Sequence, residues 1–193
     1  MALTPSTMLP LGTKLPSFTL PNANGQKVSS ADYAGAPAFM VMFICNHCPY
    51  VKHVASVIAR VTSDFLSKKV AIFGIMSNDI DKYPADGPDR MREEAHLRGY
   101  LFPYLLDHDQ SVAKAFQAAC TPEFYVFDKD QRLVYRGQLD RSRPGNDIPP
   151  SGDEVIHALE AVLSGRPVAE EQTPSVGCNI KWRPGNEPQY FSR

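Results

Sequence analysis

Two cysteines in the spacing Cys-x-x-Cys, Cys45 and Cys48, stand in the stretch Phe43–His53 (FICNHCPYVKH), directly after an apolar run. The thiolate is the reactive form of cysteine, and it serves disulfide exchange, peroxide reduction or metal binding according to its surroundings. Here the proline follows the second cysteine. Proline is favoured at the first helical position, where its missing N–H costs nothing and its φ is already helical. Pro49 in that place makes Cys48 the N-cap and aims the unpaired first-turn amides and the positive dipole end at its sulfur. Cys45 lies at the end of the preceding strand, outside that field. The spacing therefore assigns the nucleophile to Cys48. Cys45 becomes the candidate resolving thiol, reached by a tight turn through Asn46 and His47. His47, Lys52 and His53 would add positive or polarisable neighbours that tune the thiol. A metal reading competes, since the two thiols with His47 and His53 form a soft donor set suited to zinc or Cu(I). No second Cys-x-x-Cys pair exists to complete a zinc site. Redox use leads, with no metal or other cofactor expected, because the thiols themselves carry the electrons.

The elements that must position these thiols alternate between strand and helix, the pattern of a layered α/β fold. Residues 17–28, with Asn-Ala-Asn-Gly at 22–25, predict a hairpin. The run Ala38–Ile44 (AFMVMFI) reads as a strand covered on both faces. Val51, Val54, Ile58, Val61 and Phe65 recur at helical spacing after Pro49. Val70–Met76 predicts a second buried strand, 77–88 a loop, and 89–98 a helix whose charges form a solvated face. Ser111 is expected to cap a short helix carrying Val112, Ala115, Phe116 and Ala119. Glu123–Phe127 and Leu133–Arg136 predict a hairpin, 138–152 a loop, and 153–163 a last helix. The tail from Ser164 shows neither helical nor strand periodicity, and the chain's single tryptophan, Trp182, is expected to pin it down. The whole of 1–193 reads as one domain, with 164–193 as an extended tail.

Composition narrows the field further. The chain has 193 residues, 43% hydrophobic and 21% charged, enough to bury a full core. A formal net charge of -1, with both signs interspersed, gives no reason to expect nucleic acid or an acidic membrane as partner. No apolar run approaches the length of a membrane span. The opening MALTPSTMLPLGTKLP lacks the basic and apolar regions of a secretory signal. Four cysteines are too few to staple a domain of this size. A cytoplasmic location is the expectation.

Several blocks together resemble the redoxin family, the alkyl hydroperoxide reductase/thiol-specific antioxidant group, and within it the peroxiredoxin-like thioredoxin-family proteins of bacteria. They are Gly12–Asn22 with Gly25 and Asp32–Gly35, then CNHCPYVKH, ACTPEFYVFD, DRSRPGN and SVGCNIKWRPGN. The resemblance implies a thioredoxin-like fold with an N-terminal β-hairpin extension and an extended C-terminal tail. It places Cys48-Pro49-Tyr50-Val51 on the Cys-Pro-x-Cys segment of thioredoxin-like oxidoreductases, with Cys48 as nucleophile and Val51 in place of the usual resolving cysteine. It also implies departures from a peroxidase. Cys45 stands where peroxiredoxins keep a threonine or serine, Val41 where they keep a proline, and Pro122 where they keep an arginine. Pro122 instead resembles the cis-proline that faces the thioredoxin nucleophile, so a cis Thr121–Pro122 bond and a substrate-positioning role for both residues are expected.

In such a fold Cys120 would lie near Cys48, as a resolving thiol or an inert buried residue. Cys178 is a second resolving candidate, because some peroxiredoxins use a C-terminal one. An arginine of Asp140–Pro144 could partly replace the missing one, or only tie down the tail. The leading function is a thiol–disulfide oxidoreductase acting on a disulfide substrate, recycled by an external thiol reductant. A thiol peroxidase using Cys48 as its oxidised residue is the alternative, and a metal-binding or non-catalytic module the third.

Overall fold

The computed structural model describes residues 3–191. In chain order its elements are β1 (Leu3–Pro5), β2 (Thr19–Pro21), β3 (Lys27–Ser29), β4 (Ala38–Phe43) and α1 (Pro49–Ser67). There follow β5 (Ala71–Met76), α2 (Pro88–Arg98), β6 (Tyr104–Leu106), α3 (Ser111–Ala115) and β7 (Cys120–Thr121). The chain ends with β8 (Glu123–Asp128), β9 (Leu133–Gly137), α4 (Asp153–Leu163) and β10 (Val176–Asn179). A five-stranded sheet in the order β6-β5-β4-β8-β9 forms the centre. Its first three strands run parallel and β8 and β9 antiparallel to their neighbours.

β4 is central, and every one of its side chains is buried, as an unbroken apolar run requires when both faces are covered. Met40 and Met42 turn to one face, where Val54, Ile58, Val61 and Phe65 of α1 meet Val155 and Leu159 of α4. Phe39, Val41 and Phe43 turn to the other, against Phe116 beside α3 and the tail residues Ile180 and Trp182. Fully burying each large apolar side chain contributes about 1.5–3 kcal/mol, so α1 is fixed by its stripe rather than by propensity alone. That fixed stripe decides where the helix begins, and with it where Cys48 sits.

The expected hairpin is β2–β3, its turn closed by Asn22 Oδ1 accepting from the amides of Asn24 and Gln26 and by Gly25 at φ +80°. α2 buries Met91 alone and pairs its charges at i,i+3 and i,i+4, as a solvated helix should. One local expectation is corrected. Ser111 is the first residue of α3, not its cap. The cap is Gln110 in the left-handed region at φ 63°, and the buried Asp107 carboxylate accepts from the amides of Val112 and Ala113 at 3.2 and 2.8 Å. The tail, read as extended and without strand periodicity, supplies β10, the middle strand of a second sheet ordered β1-β10-β7. Val-Gly-Cys-Asn has no alternation to detect, because its small residues are set by close approach to β7 rather than by a solvent-facing side. Trp182 is buried against Tyr190 at a 6.3 Å centroid distance and anchors the end of the tail.

Candidate active site

Cys48 occupies the N-cap of α1 with Pro49 at the first helical position, and its φ of -66° and ψ of 123° are extended, as a cap requires. The sulfur makes no formal cap hydrogen bond to the helix. It points instead at the Thr121–Pro122 segment, where the peptide bond is cis. As a thiol, Cys48 donates to the Thr121 carbonyl oxygen at 3.2 Å. Cys45 Sγ lies 3.5 Å from Thr121 Oγ1, so one residue touches both sulfurs. Both cysteines are buried, Cys48 with no exposed surface at all.

The third thiol at the site is Cys178. β10 pairs antiparallel with β7 in the register Cys178↔Thr121 and Asn179↔Cys120. Directly opposed residues of an antiparallel pair project to the same face, about 5 Å apart. Cys178 therefore shares the face of Thr121 that looks toward Cys48. Gly177 permits this approach, since a Cβ there would lie 2.1 Å from the Thr121 carbonyl oxygen. The Cys48 thiolate accepts hydrogen bonds from the thiols of Cys178 and Cys45, and these hold it well below the usual cysteine range despite burial. The Thr121 hydroxyl adds to the effect. The same hydrogen bond to Cys48, with burial, pushes Cys178 up. Cys45 is raised for the same two reasons and by the negative charge of Asp86. The arrangement is one ready thiolate flanked by two protonated thiols.

The turn between Cys45 and Cys48 is held by a residue that sequence reasoning missed. The fully buried Asp86 carboxylate accepts from the amides of Asn46 and His47 at 2.9 and 3.3 Å and from Asn78 Nδ2 at 2.8 Å. His47 Nδ1 lies 2.6 Å from the same carboxylate, and its ring stacks on Tyr83. Asn46 bridges further, donating to the Ala85 carbonyl and accepting from the Tyr104 hydroxyl. Nothing in the polar loop SNDIDKYPADGP marks Asp86 out, because its role comes from the 3-10 turn Pro84–Asp86 swinging it under the cysteine loop. His47 is thus turned to Asp86, Lys52 is exposed, and His53 Nε2 lies 2.6 Å from Ser142 Oγ.

Cys120 sits behind Thr121, where burial and the Glu123 carboxylate raise its pKa. Glu123 is itself buried and accepts from Ser6 Oγ and from the amides of Ala119 and Cys120. Arg143 reaches the neighbourhood of Pro122, but its guanidinium donates to the carbonyls of Asp140 and Ser142 and to Gln138 Oε1. Among the described residues, the group whose donor atoms lie close enough for a metal is Cys45, His47 and Asp86, all within 4.8 Å of one another. It contains neither Cys48 nor His53, and two of its three donors already satisfy each other. No described helix is long and apolar enough to cross a membrane.

Residues 11–136 match the model of the AhpC/TSA family. An uncharacterized conserved protein from Geobacillus kaustophilus is 50% identical, with a TM-score of 0.93 over 96% of this chain and 98% of its own. A Mycobacterium tuberculosis protein named "Putative peroxiredoxin Rv2521" is 29% identical over 144 residues, 68% of this chain and 87% of that one. The thioredoxin domain of a thiol-disulfide oxidoreductase from Bacteroides vulgatus superposes with a TM-score of 0.62 at 16% identity, covering 80% of this chain and 99% of its own. That likeness is one of fold, and the fold is thioredoxin-like.

Proposed function

The chain belongs to the AhpC/TSA family of thiol-dependent oxidoreductases, and from that premise we propose that it is a thiol–disulfide oxidoreductase with Cys48 as its nucleophile. The reading is carried by one observation, the Cys48 sulfur at the start of α1 facing Thr121–Pro122 with a protonated thiol on either side. The Cys48 thiolate attacks one sulfur of a substrate disulfide R–S–S–R′. The new bond is Cys48–S–S–R, and R′S⁻ leaves and takes up a proton. A flanking thiol gives up its proton and attacks the Cys48 sulfur, which expels RS⁻ and leaves a protein disulfide. The substrate gains two electrons, and an external dithiol returns them to the protein. Cys45, three residues away and in contact with the Thr121 hydroxyl, is one such flanking thiol. Thr121 and Pro122 position the substrate, and Asp86 holds the loop that carries both cysteines of the motif.

A thiol peroxidase is the second reading, favoured by the printed name of the mycobacterial relative. There Cys48 would be oxidised to a sulfenic acid with release of water or an alcohol, then condense with a thiol. Pro122 in the place of the peroxidase arginine favours disulfide exchange. Four cysteines, none of them in a disulfide, suit a reducing compartment such as the cytosol. Disulfide reduction and hydroperoxide consumption, each measured with a dithiol reductant for the parent chain, Cys48→Ser and Cys45→Ser, test the assignment. Disulfide turnover that vanishes in Cys48→Ser supports it. Peroxide turnover surviving in Cys45→Ser, without disulfide turnover in the parent chain, replaces it with a one-cysteine peroxidase.

A further inference from the structure

A disulfide carried on an extended protein segment reaches a buried thiol most readily by adding its strand to a neighbouring sheet edge, where main-chain hydrogen bonds hold it. The edge beside Cys48 is that of β7, whose Thr121 carbonyl lies 3.2 Å from the Cys48 sulfur. That edge is already taken. β10 pairs with it, and β1 covers the other side of β10 in the register Leu3↔Cys178, Thr4↔Gly177 and Pro5↔Val176. Backbone hydrogen bonds extend the seat at both ends, from Ile180 N to Ala119 O at 3.0 Å and from Ser6 N to Ser175 O at 2.8 Å. Gly177 lies so close to Thr121 that any side chain would collide with its backbone. Cys178 hydrogen-bonds the nucleophile, where the sulfur of an incoming strand would have to stand. What remains beside Pro122 is a narrow recess lined by Tyr50, Val54, Val176 and Arg143.

We infer that β10 is a built-in occupant of the substrate-strand edge, so that Cys48 acts on small disulfides rather than extended protein ones and closes its cycle on Cys178. This rests on the disulfide-exchange reading. It deepens that reading by naming a substrate class and choosing between the flanking thiols. Cys48 has no exposed surface and does not line the recess, so a local opening beside Pro122 admits the small disulfide, which forms the mixed disulfide on Cys48. Cys178 then loses its proton and attacks the Cys48 sulfur, the second small thiolate leaves, and a Cys48–Cys178 bond remains. Cys45 stays reduced, and its thiol hydrogen-bonds the Cys48 sulfur.

Single-turnover mixing of the reduced chain with hydroxyethyl disulfide, or with insulin, followed by acid quench and peptide mapping, tests this. The expected course is a mercaptoethanol adduct on Cys48, then a Cys48–Cys178 bridge, with insulin slower by at least about tenfold, an activation difference of roughly 1.4 kcal/mol. Cys178→Ser should stall at the adduct, and Gly177→Ala, which lifts β10 from its edge, should narrow the gap between insulin and the small disulfide. A Cys45–Cys48 bridge in the parent chain, or insulin reacting as fast as the small disulfide, overturns the inference. If neither disulfide reacts, the disulfide-exchange reading fails. The mapping is then repeated after hydrogen peroxide, where a Cys48–Cys178 bridge keeps the occupant assignment and a Cys45–Cys48 bridge removes it.

Discussion

Asp86→Ala is the sharpest test of how the cysteine loop is held. The substitution removes one carboxylate that accepts from two backbone amides, an asparagine side chain and the His47 ring. His47 is partly exposed and can turn to water. The Asn46 amide and Asn78 Nδ2 belong to buried residues and are stranded. Each buried donor left without a partner costs about 1–3 kcal/mol, and hydrogen bonds to a charged acceptor lie toward the upper end. Two such donors give a loss of about 3–5 kcal/mol in unfolding free energy, inside the range for breaking a buried polar network. Asp86→Asn keeps one acceptor oxygen and should lose about half as much. The chemistry should suffer beyond the loss of stability, because a displacement of about 1 Å in a reacting group can lower a rate about a hundredfold. Urea unfolding gives the first quantity, and adduct formation on Cys48 measured well below the unfolding transition gives the second. An Asp86→Ala chain within about 1 kcal/mol of the parent, with an unchanged rate of adduct formation, would refute the assignment of Asp86 as the anchor of the loop.

Three further outcomes are expected. Cys48 is held below its ordinary value, so in the unfolded chain it binds a proton that the folded chain does not. The stability it contributes is full above the unfolded value near about pH 8.5 and is lost as pH falls toward the folded value, so the gap between parent and Cys48→Ser should widen with rising pH by up to about 1.4 kcal/mol per unit. A gap that does not change between about pH 5 and about pH 8 would contradict the hydrogen-bonded thiolate. Gly177→Ala should lower unfolding free energy by about 1–3 kcal/mol through overpacking against Thr121 and raise the apparent pKa of Cys48 alkylation, because Cys178 is drawn away; unaltered values would show that β10 does not press on the site. Trp182→Ala should cost about 3–5 kcal/mol and increase proteolysis within the tail, and a cost under about 1 kcal/mol would mean that the tail is held by its backbone alone.

Much of this architecture is legible in the residues alone. The unbroken apolar runs Ala38–Ile44 and Val70–Met76 admit little besides central strands, and the stripe after Pro49 fixes α1 and so the place of Cys48. The cis Thr121–Pro122 bond follows from resemblance, since spacing alone allows an ordinary trans proline. The features hidden from sequence depend on contacts between distant segments. Asp86 is one acid among several in a polar loop until a 3-10 turn carries it beneath Asn46. β10 has no periodicity because one of its residues is a glycine set against a carbonyl. Cys178 is therefore only a positional C-terminal candidate in sequence, while the register Cys178↔Thr121 places it on the face of Thr121 that looks toward Cys48. The tuning expected of His47 and Lys52 rests on closeness in sequence, whereas the groups that hold down Cys48 come from three separate segments.

The small sheet β1-β10-β7 brings an N-terminal and a C-terminal strand together beside Cys48, so the site depends on a segment far from its cysteine loop in sequence. The five strands of the central sheet all lie before residue 153, and β10 follows only after α4. Without β10, Cys48 would keep its helix, its cysteine loop and Thr121, but not its cover or the hydrogen bond from Cys178. A chain cleaved between α4 and β10 would carry a more open and less acidic Cys48.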